Sequence, residues 1–331
     1  MFGVVGHQTL SSFTHPHHLR ISTTSSEKPR PPKMKLSNAF KFSILSPLYL
    51  SLQLGFLPTL SAILRQPNLL FKLKLKEISQ IYMAHVWASY GDGIDQGMGE
   101  FKKQLITPNA YGTVLEIGAG LFSTLFSILF WRLMIFFFTA FGHTVNHLDR
   151  ALVTRFIAVE PNKLMHSKIR EKAAVAGFHE SDSSLLILSC GAEDISIIQS
   201  AIATLPGGTD SSSGKPTVDV ILSALTLCSI PNPQDTVTRL AEIILKPGGT
   251  FLIFEHVLSH RSDVAWWQHF WAPIWSFFFD GCQLDRPSDA IMRDLKMSNG
   301  QSAWKECKEW SPQEEGDEAL FWHSFGVFVK Q

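Results

Sequence analysis

The sequence predicts an α/β domain built on a doubly wound, seven-stranded sheet, mostly parallel with an antiparallel final strand, preceded by a hydrophobic anchor. Three observations predict it. Short apolar runs alternate with helical stretches from Val114 to the C-terminus, and such alternation gives a parallel sheet covered on both faces. One run, VLEIGAG (Val114–Gly120), passes straight into a glycine turn, as a Rossmann-like strand–turn–helix unit does. Near the N-terminus, Phe42–Leu64 carries no charged residue and has the length of about 20 residues that crosses a hydrocarbon core.

In chain order, residues 1–38 are rich in Ser, Thr, Pro and His, with Glu27 the only acid. Such a leader buries no core and is expected to be disordered. Its composition resembles a transit peptide; a start at Met34 is the alternative. The anchor is placed at 39–75. Lys35 and Lys41 flank its apolar part on one side, Arg65, Lys72, Lys74 and Lys76 on the other, so charge leaves its orientation open. Pro47 and Pro58 would kink a helix. A re-entrant or interfacial helix therefore stands beside a full span, and a buried soluble helix is the plain alternative.

The domain proper is expected over 76–331. A helical pattern covers Lys76–Asn109, with Tyr82, Val86, Trp87 and Tyr90 as apolar contacts and a glycine-rich turn at Gly91–Gly99. Strands are expected at Val114–Ile117, Phe156–Val159, Leu185–Leu188, Val218–Leu222 and Thr250–Phe254. A final pair is expected around Trp304–Trp310 and Phe321–Val329. Helices are expected at Val145–Leu152, Asn162–Ala176 and Pro233–Leu245, and Pro206–Pro216 as a surface insertion.

Lys and Arg balance Asp and Glu, giving a net charge of zero. No basic run suited to nucleic acid appears, so no nucleic-acid partner is expected. The four cysteines, Cys190, Cys228, Cys282 and Cys307, form no CxxC pair. That argues against structural zinc or a disulfide framework and fits a reducing compartment. His15, His17 and His18 lie in the polar leader and suit a solvated tail. No metal is expected.

Three features coincide as a nucleoside cofactor requires. The turn Gly118, Ala119 and Gly120 lets the backbone approach a ligand ahead of a helix N-terminus. FIAVEPN puts Glu160, followed by Pro161 and Asn162, at the end of the next strand, where a carboxylate can accept both ribose hydroxyls. GAED (Gly191–Asp194) follows a third strand, where a side chain reads an adenine edge. Any one strand-end acid can be mere solvated surface; their joint occurrence carries the inference.

With these motifs the sequence resembles the class I S-adenosylmethionine-dependent methyltransferases. VDVILSALTLCSI resembles their fourth strand, LKPGG (Leu245–Gly249) the turn before the fifth, and FLIFEHV the fifth. LTLCSIPNP, LKPGGTFLIFEHV, WWQHFWAPIW and DGC (Asp280–Cys282) point within the class to the membrane-associated thiol S-methyltransferases of the methyltransferase-like group. The resemblance covers about residues 80–331. It implies S-adenosyl-L-methionine as cofactor, with Gly118, Ala119 and Gly120 along its methionine part and Glu116 serving the amino end. Glu160 would bind the ribose, Ala192, Glu193 and Asp194 would surround adenine, and Ser223, Ala224, Leu225 and Thr226 would line the sulfonium.

Methyl transfer from a sulfonium needs chiefly in-line positioning and desolvation. A thiol acceptor ionises near pH ~8.5, and His256, just past the fifth strand, is the candidate base or acceptor-orienting group. A histidine bonded at a strand end is the plain alternative for it, and Glu255 has the same ambiguity. Trp267, Trp271 and Trp275 recur every fourth residue and would share a helix face with Trp266, Phe270 and Phe277–Phe279 beside them. That face suits core packing, a lid, or an interfacial belt.

One run interrupts the pattern. Leu121–Ala140 is apolar apart from Arg132 and follows Gly120 directly. Excising it gives EIGAGFGHT, restores a G-x-G-x-G turn that includes Gly142, and shortens Gly120-to-Glu160 from 40 positions to 20, the ~20 expected for a ribose-binding acid. A retained intron or misplaced exon boundary accounts for this; a second membrane anchor is the rival.

The expected function is methyl transfer to a small apolar acceptor, a thiol first. A lipid or quinone headgroup is the alternative acceptor, and an inactive membrane-bound scaffold the alternative class. The partners are then a small-molecule acceptor and a lipid surface, with the chain on the endoplasmic reticulum or a lipid droplet and its domain in the cytosol.

Overall fold

A computed structural model describes residues 44–71, 74–119, 144–210, 214–312 and 318–331. The expected leader, the run Leu121–Ala140, and Gly120 and Gly142 lie outside the described residues.

Seven strands form one sheet: β1 (Gly112–Ile117), β2 (Val153–Val159), β3 (Leu185–Leu188), β4 (Val218–Ala224), β5 (Leu245–Val257), β6 (Trp304–Trp310) and β7 (Trp322–Lys330). Their order is β3-β2-β1-β4-β5-β7-β6. β1 runs parallel to β2 and β4, β2 to β3 and β4 to β5, whereas β7 is antiparallel to β5 and β6. Val114 to Ile117 are buried throughout, as a central strand with both faces covered requires. The chain moves outward from β1 in one direction and from β4 in the other. That reversal opens a crevice beyond their carboxyl ends, where α/β sheets bind ligands.

The helices are α1 (Leu45–Arg65), α2 (Asn68–Phe71), α3 (Leu75–Ile106), α4 (His166–Val175), α5 (Ile195–Ala203), α6 (Pro233–Arg239), α7 (Ser262–Phe278) and α8 (Ser288–Arg293). On one face of the sheet Leu115, Ile157 and Phe251 pack with Ile198 of α5 and Val237 of α6. On the other, Val114, Phe156 and Leu252 pack with Leu105 of α3 and Ile169 of α4. A third cluster joins Ile44 and Leu48, Val86 of α3, and Val264 and Trp275 of α7.

The structure corrects two local expectations and decides among the readings of a third. The glycine-rich turn at Gly91–Gly99 is absent, and α3 runs through it unbroken. Each helical glycine costs about 1 kcal/mol, but packing on both sides of the stretch, through Met83 and Val86 and through Leu105 and Ile106, outweighs that. The helix expected at Val145–Leu152 is only a 3-10 turn, Thr144–His147. There the Asp149 side chain accepts from Ala151 N at 2.8 Å, a local bond that competes with helix. The Trp267, Trp271 and Trp275 face packs inward, so its regular spacing records core. The outward face of α7 carries Trp266, Phe270, Ile274 and Phe277.

The anchor expectation meets a 21-residue helix with Pro58 inside it. Among the described residues it is the one helix long and apolar enough to cross a membrane by length and composition. One side packs on α3, where Tyr82 donates to Ser51 Oγ at 3.1 Å and its ring covers Gly55. The other side exposes Tyr49, Phe56, Leu57 and Leu64.

Candidate functional site

A cavity of about 540 Å³ lies beyond the carboxyl ends of β1 to β5, within the size range of small-ligand sites. Each strand contributes through the residues where it turns.

At the end of β1, Gly118 has φ +68°, and a Cβ there would collide with the Thr226 side chain. Only glycine lets the turns after β1 and β4 approach so closely. The amides of Gly118 and Ala119 both donate to Val159 O, at 2.8 and 3.2 Å, which ties this turn to β2. The Glu116 carboxylate lines the cavity and accepts from Thr144 Oγ1. Burial pushes its pKa up to about 7, with the Thr144 bond and the Lys102 charge pulling the other way.

Beyond β2, Glu160 is buried at the cavity wall and accepts from Asn162 N at 2.7 Å. Pro161 and Asn162 line the cavity beside it. The Asn162 amide donates to Gln80 O of α3 at 3.0 Å, fastening this loop to the helix across the opening. Beyond β3, Ala192, Glu193 and Asp194 line the cavity. The Asp194 carboxylate accepts from Gly191 N at 2.9 Å and holds the turn. Burial, then Asp194 and Glu193, push the Cys190 thiol up to about 11, so it stays protonated.

Beyond β4, Ala224, Leu225 and Thr226 line the cavity. Leu225 has φ +54°, a strained conformation for a side chain of this size, secured by its N–H bond to Phe254 O at 2.7 Å. Ser223 is not on the cavity. It is fully buried and donates to Glu255 Oε1 at 2.6 Å, because strand alternation turns it toward β5. Glu255 Oε1 also accepts from the Thr226 and Leu227 amides, at 3.0 and 3.1 Å. Burial raises the Glu255 pKa, and these three donors oppose the rise. Glu255 thus supports the turn from behind, as does Arg286, which donates to Leu227 O and Ile230 O at 2.7 and 2.8 Å.

His256, expected beside the acceptor, does not line the cavity either. It is 5% exposed, with Nε2 3.0 Å from Cys282 Sγ. On β5, Phe254 reaches the cavity, and by the next inward position the strand has passed beneath the loop after α7. Sequence reasoning missed the wall residues Gln80, Lys102, Thr144, Phe279 and Asp280. Gln80 and Lys102 sit in no motif, and the stretches that hold Thr144, Phe279 and Asp280 do not mark them as cavity wall; α3 and loops that only the fold brings to the strand ends carry all five.

The surviving donor set fits S-adenosyl-L-methionine: a glycine turn no Cβ could enter, one carboxylate at the first strand end and one at the second. Comparisons with known proteins give partial likenesses. Over 75 residues, 22% of this chain and 29% of the relative, the sequence is 41% identical to thiol S-methyltransferase TMT1A of Homo sapiens. The chain resembles the thiol S-methyltransferases. Over 89 residues, 27% of this chain and 36% of the relative, it is 32% identical to TMT1B of Rattus norvegicus. The matched stretches thus span about a third of the length of these curated relatives. No family model matches. Among solved structures, an O-methyltransferase family protein from Burkholderia thailandensis is similar with a TM-score of 0.47 and 11% identity, covering 87% of this chain and 71% of that one. The CurJ carbon methyltransferase is similar with a TM-score of 0.40 and 18% identity, covering 89% and 70%.

Proposed function

We propose that this chain is an S-adenosylmethionine-dependent methyltransferase acting on a small apolar thiol at a membrane surface. The observation that carries the proposal is the single cavity that gathers Gly118, Glu160, Asp194 and Thr226 from four successive strand ends. The cofactor supplies a methyl group already activated on a sulfonium. Glu160 would accept the ribose hydroxyls and Glu116 would pair with the amino group. Ala192 to Asp194 would flank the base, and Ala224 to Thr226 would line the reacting end. The enzyme's part is in-line placement and exclusion of water. Transfer forms a carbon–sulfur bond to the acceptor as the cofactor's methyl–sulfonium bond breaks, and the thiol proton leaves to solvent. A small thiol ionises near pH ~8.5, so its thiolate is accessible near neutral pH without a buried histidine.

The thiol is supported by the named relatives, and the membrane surface by two exposed apolar rows: Tyr49, Phe56, Leu57 and Leu64 on α1, and Trp266, Phe270 and Phe277 on α7. Tryptophan and apolar side chains in such rows suit the interface plane. The endoplasmic reticulum or a lipid droplet, with the domain on the cytosolic side, fits that placement. Titration of the purified full chain with S-adenosylmethionine, followed by methyl transfer from labelled cofactor to alkyl thiols, phospholipids and quinones, tests the reading. Saturable cofactor binding with labelled alkyl thiol as the main product is expected. Labelled lipid or quinone alone would replace the acceptor, and absent cofactor binding would leave the inactive scaffold. Retention on carbonate-washed membranes is expected, and full solubility without detergent would remove the membrane role.

A further inference from the structure

Behind the cavity wall, three side chains with no shared sequence motif converge. Cys228 follows β4, His256 lies on β5, and Cys282 follows α7. Their ligand atoms all lie within 4.8 Å of one another. His256 Nε2 is 3.0 Å from Cys282 Sγ, and the two sulfurs are 3.3 Å apart. The residues are 1%, 5% and 5% exposed, so the pocket is dry. Trp275 Nε1 donates to Cys282 Sγ at 3.3 Å, an outer hydrogen bond of the kind that orients a metal-bound ligand. His256 Nδ1 is buried without a hydrogen-bond partner. A histidine committed only to neutral thiols is a costly thing to bury.

We propose that Cys228, His256 and Cys282 bind a thiophilic closed-shell cation, Zn²⁺ by preference, which clasps the loop after β4, the end of β5 and the loop after α7 together. Two thiolates and one imidazole form a borderline-soft donor set that selects such an ion over Mg²⁺ or Ca²⁺. Two thiolates also balance its charge, which a dry site requires. Zn–S near ~2.3 Å and Zn–N near ~2.0 Å in a tetrahedron set ligand atoms roughly 3.5–3.8 Å apart, so the His256–Cys282 and Cys228–Cys282 pairs need open by only about half an ångström. Binding releases the two thiol protons to solvent and changes no oxidation state. The fourth position is supplied by no His, Cys, Asp or Glu of the cluster among the described residues. The clasp would act from outside the cavity: Thr226 and Ser229 flank Cys228, Phe254 precedes His256 on its strand, and Phe279 and Asp280 precede Cys282, all five lining the wall. The ion would fix that wall without touching the cofactor.

The test is metal analysis of the full chain purified in detergent without chelators. About one zinc per chain is expected, and exchange with Co²⁺ should give thiolate charge-transfer bands with tetrahedral visible absorption. Cys228→Ser and Cys282→Ser should each lower occupancy at least about tenfold, while Cys307→Ser, at an exposed cysteine, should leave it unchanged. A chain that takes up neither zinc nor cobalt from excess would overturn the proposal. So would an intact mass, without reductant, showing Cys228 and Cys282 joined as a disulfide. If the serine variants do not fold, the cobalt spectrum and mass of the unmodified chain still decide.

Discussion

The two walls of the cavity are built by different means. On the β1–β3 side, polar side chains stand on the cavity itself: Glu116 and Glu160 occur at or just past a strand end, and Asp194 at the head of α5 in the connection after β3. On the β4–β5 side the cavity is lined by Ala224, Leu225, Thr226 and Phe254, and the polar groups that hold them lie one layer behind. Ser223, Glu255 and Arg286 form that layer. On the proposed function, one wall binds and the other is held. Substitutions on the first should therefore act on affinity, and those behind the second on stability.

The largest effect is expected at Glu255. Its buried carboxylate takes the Ser223 hydroxyl and the Thr226 and Leu227 amides, and Glu255→Ala strands all three donors. Stranding buried donors costs about 1–3 kcal/mol each, with partial relaxation, so a loss of about 3 kcal/mol in chemical denaturation is expected. Glu255→Gln, which keeps an acceptor oxygen, should lose clearly less. Equal losses in the two variants would mean that shape, not hydrogen bonding, holds this wall.

On the binding wall, Glu160→Ala should weaken S-adenosylmethionine binding at least about tenfold, since hydrogen bonds to a charged group contribute about 1.5–3 kcal/mol. The thermal transition should shift little. An unchanged dissociation constant by calorimetry with an intact fold would remove Glu160 from the site and erase the contrast between the walls.

That contrast also explains what could be read in the sequence. Glu116, Gly118, Glu160 and Asp194 are local: each is fixed by its place at the end of an apolar run, and short-range pattern finds it. Ser223 and His256 carry the same signature of a strand end, yet neither reaches the cavity: Ser223 is one residue out of step with Ala224 and so on the other face, whereas His256 shares a face with Phe254 but lies where the loop after α7 covers the strand. Pairing between β4 and β5 decides which residue points where. Lys102 and Thr144 reach the site through the course of α3 and the turn before β2. The cluster of Cys228, His256 and Cys282 was hidden for the same reason: its members are 28 and 26 positions apart, a separation no short metal motif spans. The sheet was far more legible. β3 and β6 have the expected boundaries, while β5 extends further at both ends than its apolar run. It carries the LKPGG turn into the strand, with a register shift opposite it between Val218 and Val220.

Glu116 sharpens the comparison through pH. Burial holds its pKa at about 7 against 4.5 for a free carboxyl. The folded chain therefore keeps a proton that the unfolded chain has lost, and the resulting stability, present below pH 4.5, is lost as pH rises through about 7. A cationic amino group bound beside it favours the ionised form. Cofactor affinity should then fall by up to about tenfold per pH unit below 7 and level off above it. Glu116→Gln should flatten the profile, and an unflattened profile would assign the proton to another group.

The smallest effect, and the closest test of the held wall, is expected at Leu225. Its φ of +54° costs a side chain of this kind roughly 1–2 kcal/mol, and glycine would relieve it. Leu225→Gly also enlarges the freedom of the unfolded chain, worth up to about 1 kcal/mol in the opposite sense, and removes a half-buried side chain. These terms nearly cancel, so the denaturation midpoint should move little. The cavity, however, loses an apolar contact at its reacting end and a turn that was rigid. Methyl transfer should slow while binding of S-adenosylmethionine, held by the opposite wall, stays nearly unchanged. If cofactor affinity falls as far as the transfer rate, the two walls do not divide binding from positioning, and Leu225 is part of the cofactor's own contact surface.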